Sequence, residues 1–208
     1  TLVIAATGTL TTGGKLIPLL SHTGGTLTLG DNLSFMASKV ITMTLGGAGF
    51  DMNGKTINGN SATNRILIKS GTLGTAATIT NATTSFTNAD FRDITADVAI
   101  NISAVTGLSG DCGGNTNITF TTSASQQWAG TTSGNWSTNA WTSRVPLPQD
   151  DVTFVTAFSA SQTVTADMPR LGRSIVWTGV SGNPSFALPA SSSSTLYGSF
   201  TLASMALS

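Results

Sequence analysis

Residues Phe50–Asn60 read F-D-M-N-G-K-T-I-N-G-N, and Arg65–Leu73 follow with R-I-L-I-K-S-G-T-L. Each is a short apolar run closed by a glycine turn. The neighbouring run Ile41-Thr42-Met43-Thr44-Leu45 alternates apolar residues with threonine, the period of a half-buried strand. Asn and Gly tolerate the left-handed backbone that tight corners require. An apolar strand, an N-G or G-G turn and another apolar strand make the repeat of a right-handed parallel β-helix. Its coils of roughly 20 residues or more bury their inner faces on one another. A β-sandwich of antiparallel hairpins is the alternative reading of the same pattern.

Outward from that core the unit recurs. Short β-type runs stand at Leu2–Ile4, Lys15–Leu20, Thr26–Leu29, Val40–Leu45, Ala77–Thr80, Asp90–Ile94, Val98–Ile102 and Asn117–Thr121. Gly13-Gly14, Gly24-Gly25, Gly46-Gly47, Asn53-Gly54 and Asn58-Gly59-Asn60 separate them. Such spacing marks an all-β chain. After a distinct segment at Trp128–Phe154 the pattern resumes at Val152–Val155, Gln162–Ala166, Arg173–Trp177 and Leu196–Leu202. The expected organisation is a first stack over residues 1–125, a Trp-rich junction over 126–151 and the start of a second stack over 152–208. Thr1 opens on a strand-like run with no charged leader, and Met205–Ser208 reads as a coil in progress without a polar cap. Both ends therefore suggest a piece of a longer chain, or an end covered by a partner.

The composition supports sheet over helix. Of 208 residues, 9% are charged against about a quarter in ordinary domains. All nine acids are aspartate. Helix-forming Glu and Lys are replaced by Thr, Ser, Asn and Gly. Net charge is zero, so the concentrated basic surface of a nucleic-acid binder is not expected. No apolar run approaches the roughly 20 residues of a membrane helix. The single cysteine, Cys112, forms no intrachain disulfide and reads as a small packed residue. His22 lies far from it in sequence, so a Cys–His pair is unsupported.

Two stretches hold the candidate residues for chemistry. Asp90, Asp93 and Asp97, with Arg92 between, read as a solvated turn face; a calcium site or lyase cluster is the alternative. Within the second, Asp150 and Asp151 are adjacent, so a strand would send them to opposite faces and a turn would be capped by them. Neither arrangement makes the facing carboxylate pair of a glycosidase. No G-x-S-x-G, H-E-x-x-H, P-loop or Rossmann pattern occurs. The reading is therefore of no catalytic residue, no metal site and no cofactor. Trp128, Trp136 and Trp141 read first as plugs for the gap between stacks, with no charged group converging on them. Sugar stacking by Trp136 or Trp141 is the binding alternative.

The segment W-A-G-T-T-S-G-N-W-S-T-N-A-W-T-S-R-V-P-L-P-Q-D-D-V-T-F resembles the W-x-G-x-x-x-G-N-W-S-x-x-x-x-W-S…V-P-x-x-x-D-x-V-x-F segment that opens β-helical coils in bacteriophage virion and tail-fibre proteins and in autotransporter-like bacterial adhesins. The likeness extends over Arg65–Ser208, and its motifs are structural. The resemblance implies a non-enzymatic component of a virion surface, such as a tail fibre, spike or other appendage. Other virion or surface proteins, copies of itself (a trimer above all) and a cell-surface glycan are the implied partners. An extracellular or cell-surface adhesin module is the alternative, and a polysaccharide lyase or hydrolase a further one.

Overall fold

The computed structural model describes residues 1–37, 41–83, 86–105, 107–138, 141–155, 157–159, 161–190 and 193–202. Among them there is no helix, and every strand pairing is parallel. One six-stranded sheet climbs through Leu2–Ile4, Leu20–His22, Ile41–Leu45, Ile66–Ser70, Ala89–Arg92 and Ser109–Asp111. A second climbs through Gly8–Leu10, Thr26–Leu29, Gly49–Asp51, Ala77–Thr80, Ile94–Asn101 and Thr116–Thr119. Leu33–Ser34, Ile57–Asn58 and Phe86–Thr87 form a third. Leu20 pairs with Met43 and Ile41 with Ile66, so a coil closes in 23 or 25 residues.

The chain is thus all-β and a parallel β-helix. The sandwich alternative fails because it needs antiparallel ladders. The antiparallel contacts among the described residues are two isolated bridges, Ser61–Asn64 and Trp128–Trp141.

The alternation in sequence becomes burial. Ile41, Met43 and Leu45 are buried while Thr42 and Thr44 are half-buried. Identical inward positions stack between coils: Leu27 on Phe50, Phe50 on Ile79, Ile79 on Ala96. These columns form one continuous core from Ile17 to Ile102. Outward, Ser34, Asn58 and Thr87 stand in register and hydrogen-bond in sequence, with Thr87 Oγ1 donating to Asn58 Oδ1 at 2.8 Å.

Corners decide where runs break. The expected strand Asp90–Ile94 is two strands, because Asp93 adopts φ 54° between Arg92 and Ile94. That left-handed residue turns the chain so that Phe91 and Ile94 both face the core. The expected run Leu196–Leu202 also divides, since Thr195–Leu196 and Phe200–Leu202 pair in different sheets. Val40, expected to start a strand, lies outside the described residues, as do Met205–Ser208 and Ser191 and Ser192 of the expected turn.

The chain forms two compact units, Thr1–Thr122 and Ser123–Ser208. In the second, Ser125–Gln127, Asp151–Phe154, Ile175–Trp177 and Phe200–Leu202 build a four-stranded sheet. The Trp-rich segment falls inside this unit and supplies much of its core.

Candidate functional site

Trp136 and Trp141 are the two rings that sugar stacking would use. Trp128 backs onto Phe154, and Phe154 stacks on Trp177 with centroids 3.8 Å apart and planes 1° from parallel. Phe154 and Trp177 are register partners on successive coils, so stacking follows from the β-helical repeat itself. Trp136 packs against Trp128, Phe154 and Phe186 and is 0% exposed. Its ring faces are occupied by protein, which removes the sugar-stacking role considered for it. Trp141 is half-buried; its Nε1–H donates to the Trp136 carbonyl at 3.0 Å, and its ring meets Trp128 edge-on.

The charged residues of this segment form contacts of their own. Asp150 is fully buried. Its carboxylate accepts from Arg144 Nη2 at 2.6 Å, from the Ala124 N–H at 2.8 Å and from the Leu147 N–H at 2.9 Å. Asp151 opens the next strand and pairs with Arg173, whose guanidinium holds its carboxyl below the usual range. Sequence left both outcomes open for the pair. The structure makes Asp150 the turn clamp and Asp151 the strand residue. Gln126, also buried, ties the facing loop by accepting from the Ser143 and Arg144 N–H groups.

The other acids behave alike. Asp31 binds the N–H groups of Thr12, Gly13 and Gly14 on the preceding coil, at 2.9, 2.7 and 3.3 Å. Asp93 accepts from the Gly74 N–H at 3.1 Å, Asp97 from Asn81 N–H at 3.2 Å and Asp167 from Ser137 N–H at 2.9 Å. Asp51 and Asp111 bind the N–H groups two residues on. Asp90 is buried against Arg65, with Nε–H donating at 2.7 Å. The solvated face expected for Asp90, Asp93 and Asp97 is therefore corrected: Asp90 and Asp93 are buried, and each of the three serves a different contact. Short carboxylates suit this work because they accept from backbone donors at turns. No group of three metal-ligating side chains occurs among the described residues.

A surface feature remains that sequence reasoning missed. Between Thr95 and Ile100 the register to the next coil slips: five steps on Ile94–Asn101 oppose two on Thr116–Thr119. The slack is a β-bulge that lifts Asp97, Val98 and Ala99 into solvent. Simple alternation from Ile94 and Ala96 would have turned Val98 inward; it is 55% exposed. Val98 forms one wall of an open groove of about 530 Å³, with Asn53, Gly54, Asn81, Ala82 and Thr83 completing it. Asn53 and Asn81 both hold positive φ at stacked corners. The signal in sequence was the run D-V-A, a charged residue inside an otherwise apolar strand.

Comparison with known proteins finds no matching protein-family model, curated protein or solved structure.

Proposed function

We propose that the chain is a non-enzymatic structural segment of a bacteriophage surface appendage, a tail fibre or spike, displayed on the virion and contributing to attachment at a cell-surface glycan. The observation that carries this reading is the use made of the acids. The chain has no glutamate, and all nine aspartates are bound to coil corners, backbone amides or arginine. Most of these side chains thus clamp one coil to the next, as a rigid shaft requires. The resemblance of Trp128–Phe154 to virion β-helix segments points to the same setting. Self-association, with a trimer as the expected form, and contact with other virion proteins follow from that reading.

Sedimentation of the purified chain, alone and joined to its neighbouring segments, should give a closed homo-oligomer. Incubation with bacterial surface polysaccharides should release no new reducing or unsaturated ends. A reproducible cleavage product would overturn the structural reading.

A further inference from the structure

We propose that the groove beside the Asp97–Ala99 bulge is a binding site for a neutral, hydroxyl-rich saccharide. This deepens the attachment role proposed above and rests on it. The groove is built by a departure from the repeat. Ile100 returns to register with Ile118, so the coil resumes its path and the lifted residues serve no ladder. Bulges of this kind re-aim side chains beside functional sites.

The lining fits one ligand chemistry. Asn53 Nδ2 donates to the Leu29 carbonyl at 3.0 Å, and Asn81 Nδ2 to Asp51 Oδ1 at 2.9 Å. These bonds fix both amides in place. Each amide keeps a second N–H and acceptor lone pairs on its oxygen, matching hydroxyls that both donate and accept. Val98, 55% exposed, supplies apolar surface for the C–H face of a sugar ring, with the buried Ala82 behind it. Among the described residues, no lysine or arginine lines the groove. Asp51 and Asp97 are bonded to the Asn81 that forms its corner, at 2.9 and 3.2 Å. Two carboxylates beside the groove disfavour acidic sugars.

The test uses the whole 208-residue chain on an array of neutral and acidic glycans, followed by titration of the best binders. Val98→Glu fills the apolar wall with charge at an exposed position, and Leu188→Glu, exposed in the second unit, is the control. Circular dichroism establishes that both variants fold. Expected are binding to neutral glycans, a roughly tenfold or greater loss in Val98→Glu and no change in Leu188→Glu. A bound glycan should show nuclear Overhauser contacts to the Val98 methyls. Preference for acidic glycans, binding undiminished by Val98→Glu, or no binding on the array would each overturn the proposal. Those outcomes leave the shaft reading standing, which falls instead by polysaccharide cleavage.

Discussion

Gly47 sits where the His22 ring needs the space. A β-carbon there would lie 2.2 Å from the imidazole and 2.7 Å from the Gly25 carbonyl. His22 is itself buried in a strand and donates Nε2–H to the Gly24 and Gly25 carbonyls at 2.9 and 3.1 Å. The ring therefore cannot swing away without leaving polar groups unmet. Gly47→Ala is expected to lower stability by about 1–3 kcal/mol, the usual scale of overpacking, read from urea unfolding. Asp31 makes a prediction in pH. The Thr12 N–H, helped by the Thr12 hydroxyl and the Gly14 and Gly13 N–H groups, holds its carboxyl below the ordinary 3.8. A depressed folded-state value means stability that is present above the ordinary value and lost as pH falls through the folded one. Asp31→Asn should thus be less stable than the parent at pH 6, and the gap should close towards pH 2. Equal spacing of the two melting curves across that range would show that the carboxylate does not act this way.

At the scale of elements, regular strands and the bulged strand should behave differently. Ile41–Leu45 pairs residue for residue with Ile66–Ser70, and Ala89–Arg92 continues the ladder. Ile94–Asn101 keeps register at its two ends only. Backbone amides without ladder partners open at low cost. Hydrogen exchange at Asp97 and Ala99 should therefore be faster by orders of magnitude than at Thr42–Thr44 or Leu67–Lys69. Uniform protection along Ile94–Asn101 would remove the bulge, and with it the groove.

For the whole molecule, the two units offer separate reporters. All four tryptophans belong to Ser123–Ser208. Tryptophan fluorescence consequently follows the second unit, whereas far-ultraviolet dichroism follows both. Phe154 is fully buried between Trp128 and Trp177. Truncating such a ring costs about 3–5 kcal/mol. Phe154→Ala should lower the fluorescence midpoint by that measure while part of the dichroism amplitude melts at the parent midpoint. Coupling in a solenoid runs between nearest neighbours, so a lesion in one unit need not destabilise the other. Coincident transitions in the variant would mean the units unfold as one.

The all-β class of the fold is written in local patterns of residues. Strict alternation such as Ile41–Leu45 and the Asn-Gly corners are local signals, set by side-chain period and by which residues accept a left-handed backbone. These are legible without knowing any partner strand. Parallel stacking could be favoured over a sandwich but not decided, because it depends on which strand 20-odd residues away lies alongside. The roles of individual residues were settled by packing between coils. Trp136 went inside because neighbouring coils brought Trp128, Phe154 and Phe186 around it. Asp90 was buried because Arg65, 25 residues earlier, arrives beside it. Val98 turned outward because the next coil is shorter across the same span. Each of those outcomes is a relation between coils, and a single run of residues carries no record of its neighbour above or below.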